Sequence, residues 1–324
     1  MNTKKQFEKL FNNEMPTEEA RKFLVALYEK GETGADIAAA ASVMRKHSIK
    51  LDLTPELKSR AIDIVGTGGD KSGSFNISTT VSLLLASMGR VVAKHGNRSI
   101  TSNSGSTDVL EALGINLDLS IPNKIRMLEE TSFCFFPATD HHPAMKHIMP
   151  IRKSIEHRTI FNLLGPLTNP ASASKYLLGV FDPSFVKVMA EALLELDTKR
   201  AYVVSANDGM DELSISANSR FAYVENNRIS EGEINPEILG FKLASKEEIL
   251  GGDAKQNAQI TRDIFAGTQK GAKRDIVLLN ASFALFADGN VRDIDEALEL
   301  AKDALDSKKA LTHLKKISDI SQKL

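Results

Sequence analysis

Cysteine is nearly absent from this chain, and so is any surplus of charge of one sign. A single cysteine in 324 residues, Cys134, excludes an internal disulfide and a cysteine-based metal site. Its neighbours Phe133, Phe135 and Phe136 mark it as a packed thiol in a buried strand. Lys and Arg total 41 and Asp and Glu 42, a net charge of −1, which leaves no basic surplus to hold a nucleic-acid backbone. Any cationic patch must be local. Long apolar runs are missing too. The longest, around residues 81–88, is far short of the roughly 20 residues a membrane span needs. Met1-Asn2-Thr3-Lys4-Lys5-Gln6 runs into charged residues with no apolar core, so no signal peptide is expected and a cytoplasmic location is. What remains is ordinary globular composition, 42% apolar and 26% charged, with length for one large domain and a small one.

Residues 1–59 read as helices only. Phe7, Leu10 and Phe11, then Phe23, Leu24, Leu27 and Tyr28, then Ile37, Ala41, Val43 and Met44 recur at three- and four-residue spacing. After Pro55 the character changes to short β-branched or aromatic runs alternating with helical stretches. Strands are expected at 62–65, 91–93, 133–136, 177–180 and 201–205, and helices at 77–88, 108–113, 122–130 and 185–196. Such alternation indicates an α/β fold with a mostly parallel central sheet flanked by helices. Residues 141–170, rich in His, Pro and Arg, break the rhythm, and from Asp253 onward the chain is helical again.

Three loops within residues 63–108 together suggest a phosphate site, although the first by itself reads as an ordinary strand-to-helix turn and the charges of the second as those of a solvated loop. Gly66-Thr67-Gly68-Gly69-Asp70 leaves a strand and enters a helix near Asn76. Its glycines permit positive φ and close backbone approach, so successive N–H groups can face one anion at a helix N-terminus. The spacing is neither the Walker nor the Rossmann pattern. Asn76-Ile77-Ser78-Thr79 either caps the next helix or holds a phosphate, or a metal bound to one. Lys94-His95-Gly96-Asn97-Arg98 follows a strand at the sheet end where open α/β proteins bind ligands, and its two cations suit phosphate oxygens. The serine-rich loop Ser102–Asp108 follows. Asp208-Gly209-Met210-Asp211-Glu212 also trails a strand. Its acidic pair either caps a helix or holds Mg²⁺, an oxygen-seeking ion that bridges to substrate phosphates. His141, His142 and His147 lack the acidic or Cys partner of a standard zinc site, whereas Arg152 suits a small carboxylate.

Together these residues resemble the anthranilate phosphoribosyltransferases of the tryptophan pathway. The matching motifs are Gly66–Asp70 with Ser74–Thr79, Lys94–Arg98, Ser104-Gly105-Ser106, Arg158–Asn162 through Pro170, and Asp208–Glu212, in order over essentially the whole chain. The resemblance implies a small helical domain of residues 1–60, joined by part of 141–172, and an α/β domain of residues 61–324, with the site in the cleft between them. It implies a homodimer formed through the helical domains, with no nucleic-acid or membrane partner. The implied substrates are phosphoribosyl pyrophosphate and anthranilate. For the first, it implies binding by Gly66, Gly68, Gly69, Asp70 and Ser74, by Asn76, Ile77, Ser78 and Thr79, by Lys94, His95, Gly96, Asn97 and Arg98, and by Ser99, Ile100, Thr101, Ser102 and Ser106. Gly66, His95, Asn97, His142 and Arg152 would line the anthranilate side, and Ser78, Asp211 and Glu212 would hold Mg²⁺. No covalent nucleophile or general base is assigned. Lys71 stands where the family usually has glycine, and Ile155-Glu156-His157 departs from its usual Leu-Gly pattern. Two rivals remain. Pyrimidine nucleoside phosphorylases share the fold but not Lys-His-Gly-Asn-Arg. A non-enzymatic, nucleic-acid-binding relative fits poorly with a net charge of −1 and an intact acidic pair.

Overall fold

The computed structural model describes residues 2–70, 72–98 and 104–324. Among these, seven strands form one sheet: β1 (Ile62–Gly66), β2 (Val92–Gly96), β3 (Phe133–Pro137), β4 (Lys175–Gly179), β5 (Arg200–Ala206), β6 (Ser219–Glu225) and β7 (Arg228–Ile234). Their spatial order is β3-β2-β1-β4-β5-β6-β7. The first five are parallel, while β6 and β7 run antiparallel. β1 to β3 are four buried residues and a half-buried fifth, as strands covered on both faces require. Helix Ile77–Ser87 is buried on nearly every side and packs between β1, β2 and helix Ala272–Asp288.

All five strands expected from the sequence are present. The hairpin of β6 and β7 was not expected, for a physical reason. β7, Arg-Ile-Ser-Glu-Gly-Glu-Ile, is an edge strand whose residues are mostly exposed, so it carries no apolar run. The legible signal is the turn between them, Asn226 and Asn227 at φ of 52° and 57°, a pair that suits a two-residue hairpin.

The amino-terminal helices Thr3–Phe11, Thr17–Lys30 and Gly34–Lys46 form the small domain. The Phe7 ring stands edge-on to Phe23 and Phe161, at centroid distances of 5.2 and 6.1 Å. Phe161 comes from the rhythm-breaking segment, which thus packs against this cluster. Helix Met145–Lys153 of that segment lies against Thr3–Phe11 and Thr17–Lys30, and the His147 ring meets the Leu10 carbonyl at 3.0 Å.

Candidate active site

The strand order reverses between β1 and β4, which opens a crevice at their carboxyl ends. Gly66–Asp70 leaves β1 there. Thr67 N–H donates to the Gly179 carbonyl of β4 at 2.9 Å, and Gly68 and Gly69 take φ of +67° and +77°. Asp211, following β5, reaches across: its Oδ2 accepts from Gly68 N–H at 2.6 Å. Glu212 Oε1 accepts from Ser78 N–H at 3.1 Å, in the first turn of helix Ile77–Ser87. The acidic pair and the first loop, 143 residues apart in sequence at Gly68 and Asp211, thus meet at a helix N-terminus.

Two glycines make this crossing possible. A Cβ on Gly179 would lie 1.4 Å from the Asp211 carbonyl oxygen, and one on Gly66 would lie 2.4 Å from Asp211 Oδ2. Gly179 was not singled out from the sequence, although a glycine closing the run Tyr-Leu-Leu-Gly was its visible trace.

Electrostatics mark the same point. Burial first, then repulsion from Asp70, pushes the Asp211 carboxyl up to about 7. Burial and the neighbouring Asp211 raise Glu212 well above the usual range. Lys94 is 1% exposed, and its Nζ donates to the Ile64 carbonyl at 2.6 Å and to Ser78 Oγ at 3.3 Å. Burial draws its ammonium down to about 8, against the opposing pull of Asp63, Glu212 and Asp211. Asp211 and Glu212 face the buried lysine. Among the described residues no group of three or more His, Cys, Asp or Glu is placed to hold a metal ion, so the acidic pair with the Ser78 hydroxyl is the donor set that would suit a hard divalent cation once the carboxyls ionise.

The second loop is held from beneath by a residue not assigned from the sequence. Asp63 is fully buried on β1, accepting His95 N–H at 3.1 Å and Asn169 Nδ2–H at 2.7 Å. Asn169 also donates to the Ala93 carbonyl at 2.7 Å, so β1, β2 and residues 165–171 share one network. The His95 ring places Nδ1 3.1 Å from the Gly165 carbonyl and stands edge-on to His142 at 5.4 Å. Burial lowers His95 to about 3 and His142 to about 4, so both rings are neutral at pH 7. His141 directs Nδ1 to the Ile49 carbonyl at 2.8 Å, away from His147 on Leu10.

Other residues singled out from the sequence sit as follows. Asn76 Nδ2 donates to the Ser104 carbonyl at 3.2 Å and so joins the first loop to the third. Asp70 caps Ser72 N–H at 3.3 Å, and the Ser72 and Ser74 hydroxyls lie 3.1 Å apart. Ile77 and Thr79 are fully buried, and the Thr79 hydroxyl has no hydrogen-bond partner among the described residues. Gly96 closes β2, and Asn97 Oδ1 accepts from Arg98 N–H at 2.8 Å. Arg98 is drawn to the third loop's helix, pairing with Asp108 at 2.5 Å and Glu111 at 2.9 Å. Ser106 opens that helix, Ser106–Ala112. Arg152 is half-buried with no carboxylate paired to it among the described residues, and burial lowers its pKa. Ser99, Ile100, Thr101, Ser102 and Lys71 lie outside the described residues.

This fold and site define a glycosyltransferase class. The glycosyl transferase family, a/b domain, matches residues 58–311, and the glycosyl transferase family, helical bundle domain, matches residues 3–48. The anthranilate phosphoribosyltransferase of Xanthobacter autotrophicus is 42% identical over 318 residues, 98% of this chain and 91% of that one. The crystal structure of anthranilate phosphoribosyltransferase from Thermus thermophilus is similar with a TM-score of 0.92 and 38% identity, over 99% of this chain and 94% of that one. The Saccharomyces cerevisiae enzyme in complex with PRPP and Mg gives a TM-score of 0.85 and 26% identity, covering 95% of this chain and 86% of that one. The chain belongs to the anthranilate phosphoribosyltransferase family.

Proposed function

We propose that this chain joins the amine of anthranilate to C1 of phosphoribosyl pyrophosphate and releases pyrophosphate, the phosphoribosyl-transfer step of tryptophan biosynthesis. The observation that carries the reading is the meeting of Asp211 and Glu212 with Gly68 and Ser78 at the N-terminus of a buried helix. Mg²⁺, held by Ser78, Asp211 and Glu212, would neutralise charge on the leaving pyrophosphate. The backbone N–H groups of Gly68, Gly69 and Asp70, the helix dipole and Lys94 receive the pyrophosphate oxygens. The other residues assigned above to phosphoribosyl pyrophosphate complete the cradle, and Arg98 serves it through the position of its loop. The sugar is already activated, so catalysis rests on positioning and on stabilising the leaving group. Anthranilate's amine is neutral at pH 7, and so are His95 and His142, which places no imidazolium beside it. Those two rings with Gly66 and Asn97 line the anthranilate side, and Arg152 pairs with its carboxylate.

The same reading assigns residues 1–60 with part of 141–172 to the helical domain and 61–324 to the α/β domain. The seat of helix Met145–Lys153 on the amino-terminal helices supports that division. It further assigns a cytoplasmic homodimer formed through the helical domains, supported by Tyr28 and Ile49, 44% and 43% exposed. Sedimentation at micromolar concentration tests the dimer, and a single species of 35.4 kDa would refute it. The reaction is tested by anthranilate fluorescence. Its loss should require both phosphoribosyl pyrophosphate and Mg²⁺, whereas phosphate-dependent release of base from thymidine or uridine would assign a phosphorylase instead.

A further inference from the structure

Arg158 joins two parts of the molecule that the proposed chemistry treats separately. Its Nη2 donates to the Gly69 carbonyl at 2.8 Å, and its guanidinium carbon lies 3.6 Å from the centroid of the Phe181 ring. Phe181 is itself tied to the first loop, since its N–H donates to Thr67 Oγ1 at 3.0 Å. The guanidinium lies so close that a Cβ on Gly69 would be 3.3 Å from Nη2 and 3.6 Å from Nη1. On the other side, the Arg158 carbonyl is 2.7 Å from His157 Nδ1, and the His157 ring stacks on Tyr28 of helix Thr17–Lys30 at 3.9 Å and 22°. A continuous chain of contacts therefore runs from the helical domain through His157 and Arg158 to the Gly69 carbonyl.

We infer that Arg158 is a positioning residue: it latches the Gly69 carbonyl and thereby sets the Gly68–Asp70 N–H groups in their anion-facing order. The physical reason is local. Gly68 and Gly69 both have positive φ, and a glycine pair has many other conformations open to it. A planar guanidinium that bonds the carbonyl of one of them while stacked on Phe181 removes much of that freedom before ligand arrives. The role rests on the pyrophosphate-cradle reading of the loop, but the latch itself is a property of the ligand-free protein.

The test uses the full chain with Arg158→Ala and Arg158→Lys. Hydrogen exchange of the peptide carrying Gly66–Asp70 is measured without ligand, and KM is measured for each substrate. In Arg158→Ala the peptide should exchange faster, and KM for phosphoribosyl pyrophosphate should rise about tenfold, the effect of one hydrogen bond made by a charged group. KM for anthranilate should stay within about twofold, since the latch touches only the pyrophosphate loop. Across both variants, exchange and KM should move together. Unchanged exchange overturns the inference. So does a lysine that restores KM while the loop still exchanges fast, because the cation would then act on the anion directly. A wild-type protein that consumes no phosphoribosyl pyrophosphate would refute the functional reading instead, and the exchange measurement would still decide the latch.

Discussion

Replacing Gly69 by alanine separates a functional cradle from an ordinary turn. At φ of +77° an added Cβ is strained, at a local cost of about 1–2 kcal/mol. The steric part is smaller, because the nearest atom is the side-chain Arg158 Nη2 at 3.3 Å, which must give by only a few tenths of an ångström. For 324 residues the unfolding entropy is about 0.7 kcal/mol per kelvin, so the ligand-free Tm should fall by only about 2 °C. Binding should suffer more. Loss of one charge-assisted hydrogen bond, about 1.5–3 kcal/mol, weakens phosphoribosyl pyrophosphate roughly ten- to a hundredfold. At a ligand concentration of about 100 Kd the wild-type protein gains about 2.7 kcal/mol, or about 4 °C. A hundredfold weaker variant at the same concentration keeps about 0.4 kcal/mol, a shift of under about 1 °C. Differential scanning fluorimetry with Mg²⁺ and a ligand series reads both quantities. A variant that melts much earlier yet retains the full ligand-induced shift would refute the cradle and leave a merely structural turn.

Asp211→Asn with Glu212→Gln should abolish Mg²⁺-dependent turnover without lowering the metal-free Tm, because burial holds both carboxyls above their usual range, with Asp70 adding to Asp211 and Asp211 to Glu212. Near-wild-type turnover at low Mg²⁺ would remove them from the metal site. Asp211 titrates at about 7 against an ordinary value of 3.8, so the fold favours its protonated form. Its contribution to metal-free stability is complete below about pH 4 and is lost as pH rises through about 7. Mg²⁺ needs the carboxylate, so its affinity, read by isothermal titration calorimetry, should rise about tenfold from pH 6 to pH 8; equal affinity at the two would show that Asp211 is no ligand. Arg152→Ala should raise KM for anthranilate by roughly ten- to a hundredfold with little change for phosphoribosyl pyrophosphate. An equal rise in steady-state KM for both substrates would make Arg152 structural.

The parallel part of the sheet is legible in the sequence because its strands are buried on both faces. Ile62–Val65 and Phe133–Phe136 are uninterrupted apolar runs apart from Asp63, and each is followed by a break. β6 and β7 are not legible that way, since an edge hairpin needs turn chemistry more than apolar residues. The loops of the site are legible for a related reason: glycines, Lys94, the acidic pair and hydroxyl residues are chemically unusual neighbours after strands. The supports beneath them are not. Asp63 looks like an interruption in a strand, and Asn169 like a turn residue, until folding brings them to 2.7 Å. Gly179 is needed only because Asp211, distant in sequence, passes over it. The ion pairs of Arg98 are not legible either: its charge and place can be read from the sequence, but its pairing with Asp108 and Glu111 depends on a helix that begins eight residues later, at Ser106.

The acidic pair also bears on the order in which ligands are accepted. Asp211 takes the Gly68 N–H and Glu212 takes the Ser78 N–H, the same donors that a phosphate oxygen needs. A pyrophosphate arriving alone meets two carboxyl groups that hold its donors and, where ionised, repel it. A cation held by the ionised pair would attract the anion and would leave the Gly68 and Ser78 N–H groups free to donate to it. Cation and pyrophosphate should therefore strengthen each other's binding by the same factor, as linkage requires. Lys94 alone cannot supply that coupling. It is buried, its Nζ is held by the Ile64 carbonyl and the Ser78 hydroxyl, and its charge is already balanced by Asp63 and the pair itself.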